Sequence, residues 1–175
     1  PAEDGVPAQW QGQWRTGEGL FRDDALAPLY ELVSGMRPDY QPAEVRDLMV
    51  ATAEVDYDVL EVEGDGLTFV ANGRTACAGV YTFVDVHEDE HHTQTKFSLT
   101  EERAGDCSDY GTVWLSDPIP HDLEAHFHIR TGRTDEPLHP PPWDPSVWTP
   151  STTPEFFAEL MYVAAPSIAD ALPEK

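Results

Sequence analysis

Glu54-Val55-Asp56-Tyr57-Asp58-Val59-Leu60-Glu61-Val62 is the stretch at which the hydrophobic period of this chain changes to two. Val55, Tyr57 and Val59 alternate with Asp56, Asp58 and Leu60, the pattern of a half-exposed β-strand. Glu63-Gly64-Asp65-Gly66 follows as a hairpin turn, and Leu67-Thr68-Phe69-Val70 reads as the returning strand. Asn72-Gly73 marks the next turn, before a long strand over Ala76 to Val86. His87-Glu88-Asp89-Glu90-His91-His92 is a charged hairpin end, and Thr93 to Thr100 returns. Glu101 to Asp109 reads as a loop carrying Cys107, and Tyr110 to Leu115 and Ala125 to Arg130 are further strands. About six strands joined mostly by hairpins predict an antiparallel meander or small up-and-down barrel.

On the N-terminal side the signals are helical. Asp23-Asp24 in front and Gly35 behind bracket a short helix through Ala25 to Val33, with Pro28 confined to its first turn. Tyr40 to Val50 starts a second, with Val45, Leu48 and Met49 at helical spacing. Residues 1–9 read as a loose arm, and Trp10-Gln11-Gly12-Gln13-Trp14 as a short extended or turn segment whose indoles plug the base of a core. After Gly132, the prolines 137, 140, 141, 142, 145 and 150 forbid regular structure over about twenty residues, and Trp143 and Trp148 lay this segment against the barrel. Thr152-Thr153-Pro154-Glu155 then caps a helix whose Phe156, Phe157, Leu160 and Met161 form an apolar stripe. The whole chain, 1–175, is expected to be a single domain, mainly β, with short helices flanking the barrel at both ends.

Charge narrows the partners. Ten Lys+Arg against 33 Asp+Glu give a net charge of −23, a field that repels nucleic acid and anionic membranes and attracts cations. No apolar run reaches the ~20 residues of a membrane span. The chain opens at Pro1-Ala2-Glu3 without an initiator Met, as a mature or trimmed terminus does, so a missing leader does not argue against export. Cys77 and Cys107 are an even pair, consistent with a disulfide in an oxidising compartment, two free buried thiols being the alternative.

The chemistry concentrates in Ala125-His126-Phe127-His128-Ile129-Arg130. In a strand, residues i and i+2 share a face, so His126 and His128 point one way and Phe127 and Ile129 the other. Two such imidazoles, with Cα atoms about 6.5 Å apart, can share a divalent cation. His121 is the nearest source of a third nitrogen. Imidazoles bind metal only when neutral, so affinity is expected to fall as pH drops through about 6.5. Asp122 and Glu124 are candidates to hydrogen-bond the far ring nitrogens, and His139, among prolines, reads as plain surface.

At Trp10-Gln11-Gly12-Gln13-Trp14, and at Ser116-Asp117 followed by His126-Phe127-His128-Ile129, the chain resembles the ZinT (YodA) family. These are extracytoplasmic zinc-binding proteins, also found as the C-terminal domain of AdcA-type zinc-capture proteins. The resemblance covers nearly the whole chain and implies a calycin, lipocalin-like antiparallel barrel. It implies that His126 and His128 are Zn(II) ligands. The family's third histidine directly follows Ser-Asp, where this chain has Pro118, so the third ligand falls to His121, or to Asp117 or another side chain. His87, His91 and His92 would serve as a metal-recruiting loop, or as an ordinary solvated hairpin tip.

The resemblance implies a periplasmic, secreted or lipid-anchored protein that captures Zn(II) and supplies it to a metal uptake system, with a zinc ABC-transporter binding protein as partner. It would not be an enzyme. Two alternatives belong to other classes. A calycin binder of a small apolar ligand would use the Trp and Phe content, and a metal-dependent hydrolase would use three histidines and a water. Against the hydrolase, no G-x-S-x-G elbow, H-E-x-x-H helix or fixed general base is present.

Overall fold

The computed structural model of the protein describes residues 5–132, 136–140 and 143–175. The chain divides into two compact units, Pro1–Thr16 with Val55–Pro150, and Gly17–Glu54 with Ser151–Lys175.

The first unit is a β-barrel. Its strands are β1 (Gly12–Thr16), β2 (Val59–Glu63), β3 (Gly66–Ala71), β4 (Arg74–Glu88), β5 (Thr93–Gly105), β6 (Thr112–Ser116), β7 (Ile119–His121), β8 (Glu124–Gly132) and β9 (Ser146–Trp148). Every strand pairing is antiparallel. The order β6-β5-β4-β3-β2-β1-β9-β8-β7, with an additional β6–β8 pairing, closes eight strands into a ring and leaves β7 on β8 alone. This is a calycin-like barrel, as expected.

The interior follows from alternation. Trp14, Leu60, Val62, Phe69, Tyr81, Phe97, Val113, Leu115, Phe127, Ile129 and Val147 belong to one buried core. Trp14 meets Phe127 edge-on at 4.6 Å, and Trp10 meets Phe97 edge-on at 5.7 Å. Each such side chain removed from water stabilises the fold by about 1.5–3 kcal/mol. The two indoles also satisfy their polar ends, Trp14 Nε1 donating to Trp10 O and Trp10 Nε1 to Ser116 O. Cys77 on β4 and Cys107 beyond β5 form a disulfide.

Several sequence expectations are corrected. The strand expected from Glu54 begins at Val59, because the preceding helix runs on to Ala53. The loop expected over Glu101 to Asp109 is strand as far as Gly105, held by pairing with β4. The proline-rich segment contains β9, which closes the barrel between β1 and β8, so prolines bound it without forbidding it. The arm is not loose where it is described: Val6 is buried and its N–H donates to Gly64 O, while residues 1–4 lie outside the described residues, as do 133–135, 141 and 142.

The second unit is helical: α1 (Glu18–Arg22), α2 (Ala27–Met36), α3 (Pro42–Ala53), α4 (Pro154–Val163) and α5 (Ala165–Ala171). Thr153 caps α4 by accepting from Phe156 N, and Gln41 N donates to Glu44 Oε1 at the start of α3. Leu20, Leu26, Leu29, Val33, Val45, Met49 and Phe157 fill its core, with Phe21 edge-on to Phe157 at 4.8 Å. Of the stripe expected on α4, Phe157 is the residue that is fully buried. Arg37 fastens the end of the chain by donating to the carbonyls of Ala169, Leu172 and Pro173. No helix among the described residues is long and apolar enough to cross a membrane.

Candidate metal centre

β8 carries the histidine pair with the alternation the sequence predicts. Phe127 and Ile129 enter the hydrophobic core, and His126 and His128 take the other face, each 8% exposed. The two ring centres stand 5.4 Å apart, close to perpendicular. A cation about 2.1 Å from a nitrogen of each ring would set tetrahedrally disposed ring centres about 5 Å apart. The pair therefore has the spacing for one shared ion.

Each ring is fixed by what its Nδ1 touches. His128 Nδ1 lies 3.1 Å from the carbonyl oxygen of Asp144. A carbonyl only accepts, so His128 carries its proton on Nδ1 and its lone pair on Nε2. Asp144 is held in turn, its carboxylate accepting from Arg130 Nε at 3.1 Å and from the His139 backbone N–H. The His128 backbone N–H donates to Ser116 Oγ at 2.8 Å. His126 Nδ1 is 2.8 Å from His121 Nε2, and the two rings are parallel at 4.9 Å. Trp148, directly across the β8–β9 ladder from His126, stacks on the same ring at 4.2 Å.

Burial decides the protonation of the pair. Loss of solvent, together with the neighbouring His128 and His121, pushes His126 down to about 3. Loss of solvent pushes His128 down to about 4, against the hydrogen bond to Asp144, and His92 adds to the fall. His121 is lowered by burial and partly restored by Asp122. In the folded protein the pair thus stays neutral well below the value of about 6.5 at which sequence reasoning places proton competition.

The other expected residues are distributed unevenly. His121, at the end of β7, lies edge to edge with His126, the two rings nearly coplanar. Asp117 is exposed, and its carboxylate accepts from Gln9 Nε2 at 2.9 Å. The far nitrogens of the pair find Asp144 and His121, rather than the expected Asp122 and Glu124. His139 is exposed, as expected of plain surface. Of the hairpin histidines, His87 and His91 are exposed, but His92 turns inward. Its ring centre lies 6.2 Å from that of His128, and its side chain is 6% exposed.

Asp144 is the residue that sequence reasoning missed at this site, and His92, read only as part of a recruiting loop or solvated hairpin tip, was not placed beside the pair. Asp144 acts through its backbone, which leaves no trace in residue type. His92 is brought in by register: Gln94 pairs with Ser116, Ser116 bonds the His128 backbone, and His92 shares the face of Gln94 two residues away. Among the described residues, no group of three or more His, Cys, Asp or Glu is placed to hold a metal ion as it stands. What exists is an arranged pair with two further imidazoles flanking it.

The class that this barrel defines is the calycin-like fold, the fold that ZinT-like domains have. The chain is similar to the Zn(II)-bound ZinT-like domain of Streptococcus pneumoniae AdcA, with a TM-score of 0.65 at 16% identity over 92% of each chain. It is also similar to Zn(II)-bound AdcA from the same organism, with a TM-score of 0.68 at 17% identity over 91% of this chain and 35% of that one. At such identities the likeness establishes the fold. No protein-family model matches the sequence, and no curated protein matches it.

Proposed function

We propose that this protein binds Zn(II) outside the cytoplasm through the His126–His128 pair and supplies it to a metal uptake system, with the whole chain, 1–175, acting as one ZinT-like domain. The observation that carries the reading is the pair itself. Two neutral imidazoles stand 5.4 Å apart, with the Nε2 lone pair of His128 set by the Asp144 carbonyl. The Zn(II) in both similar structures supports zinc as the ion. A third nitrogen stands near on either side, from His121 or from His92.

A position left open to water or a partner group makes the ion transferable, whereas four protein ligands would close the site. The recipient is then the binding protein of a zinc ABC transporter. The disulfide and the −23 charge support an extracytoplasmic protein that gathers cations. The role is one of binding rather than catalysis. A small apolar ligand in the barrel is disfavoured, since Trp10, Phe69, Tyr81, Phe97 and Phe127 are fully buried there.

Zinc titration by calorimetry tests the reading. One equivalent should bind the parent protein, and the double variant His126→Ala/His128→Ala should bind none. Equal binding by both would remove the pair from the function.

A further inference from the structure

We infer that the third zinc nitrogen is Nε2 of His92, delivered by the hairpin between β4 and β5, and that His121 is a positioning residue for His126. The inference rests on the zinc reading above and names which residues complete that site.

His121 has already committed its nitrogen. Its Nε2 is the atom 2.8 Å from His126 Nδ1. For His126 to offer Nε2 to a cation, its proton must sit on Nδ1, and His121 Nε2 must then accept it. A metal-binding histidine gives its other N–H to such a partner, which fixes tautomer and ring orientation. His121 in that role cannot also give Nε2 to the ion. Trp148, stacked on the face of His126 at 4.2 Å, holds the arrangement.

His92 presents the opposite case. Its Nε2 is buried and has no hydrogen-bond partner among the described residues. A polar atom withdrawn from water without a partner is destabilising, and a cation would relieve that cost. The contacts of Nδ1, at 3.5 Å, are Asp89 Oδ1 and Gln94 Nε2. The Gln94 amide N–H favours a lone pair on Nδ1, and Asp89 Oδ1 favours a proton there; binding of a cation at Nε2 selects the second tautomer, with Nδ1–H turned to the carboxylate. Asp89 is anchored for this by accepting from the backbone N–H of His91 and His92 at 2.7 and 3.0 Å.

The spacing is close to what one ion needs. His92 and His128 ring centres stand 6.2 Å apart, about 1 Å beyond the separation for a shared tetrahedral ion. His92 sits at a hairpin end, so a small ring rotation and hairpin shift would close that gap.

Three measurements test the assignment: zinc affinity by competition with a chromophoric chelator, the imidazole count by X-ray absorption on the zinc-loaded protein, and the far-UV spectrum as a check on folding. His92→Ala should lower affinity by more than the roughly 10–100-fold that a lost outer hydrogen bond costs, and should reduce the count from three to two. His121→Ala should lower affinity by roughly 10–100-fold with the count still three, and His121→Gln, which restores an acceptor for His126, should recover part of the loss. If His92→Ala binds like the parent, or if His121→Ala is the variant that loses an imidazole, the assignment is overturned while the zinc reading stands. If the parent itself binds no zinc, the zinc reading falls first.

Discussion

His128 and Asp144 are joined ring to backbone: the imidazole Nδ1 donates to the Asp144 carbonyl at 3.1 Å, while the Asp144 carboxylate pairs with Arg130 at 3.0 Å. A single residue from the proline-rich segment therefore orients a candidate ligand with its main chain and neutralises a nearby guanidinium with its side chain. Burial raises the Asp144 carboxyl, and Arg130 opposes that rise.

Asp144→Ala should accordingly separate the two properties, removing the ion pair and keeping the carbonyl. Arg130 is partly exposed and keeps Glu136 at 3.5 Å and the Pro137 carbonyl, so loss of its bond to Asp144 should cost about 1–3 kcal/mol. Zinc affinity should fall by less than roughly 10-fold, because alanine keeps the main-chain carbonyl that accepts from His128 Nδ1. Chemical denaturation and chelator competition read the two effects separately, and unchanged stability would contradict the ion pair.

The metal-free protein should lose stability on mild acidification. His126 and His128 titrate at about 3 and about 4 when folded, against about 6.5 when unfolded. Below about 6.5 the unfolded chain binds the more protons, so this contribution is complete above that pH and is lost as pH falls towards the folded values. Denaturation midpoints between pH 7 and 5, before carboxylates dominate, should decline, and His126→Asn/His128→Asn should flatten the decline.

Reduction of Cys77–Cys107 should destabilise the barrel unit. The bridge closes a loop of sequence separation 30, which in the chain-entropy picture is worth about 3–4 kcal/mol. A denaturant midpoint that does not move in the Cys77→Ser/Cys107→Ser variant would argue against that contribution.

Two glycine substitutions should act in opposite directions. Gly105 has φ +74, and a Cβ there would lie 2.2 Å from Ala76 O, so Gly105→Ala should disrupt the β4–β5 ladder beside the disulfide. Gly35 lies in α2 with nothing within 4 Å, so Gly35→Ala should stabilise by about 0.5–1 kcal/mol. Thermal midpoints of the two variants distinguish these outcomes.

Much of the architecture was legible because strand period and turn residues are local. The hairpins around Gly64 and Gly73 and the Phe127/Ile129 alternation follow from neighbours in sequence. β9 was not legible, since three residues among prolines carry no periodic signal and become a strand only between β1 and β8. α1 was missed for a similar reason, being five residues long. At the site, the i, i+2 histidines were readable from strand geometry, whereas the roles of Asp144 and His92 were not.

The sequence by itself determined an acidic, mainly β chain with two imidazoles on one face of a strand, because charge, period and alternation are properties of consecutive residues. Only the tertiary structure decided what surrounds those imidazoles. Register across β5, β6 and β8 set His92 beside His128, and the closing segment placed the Asp144 carbonyl on its ring. Contacts between residues dozens of positions apart depend on how strands are paired, and no local pattern encodes that pairing.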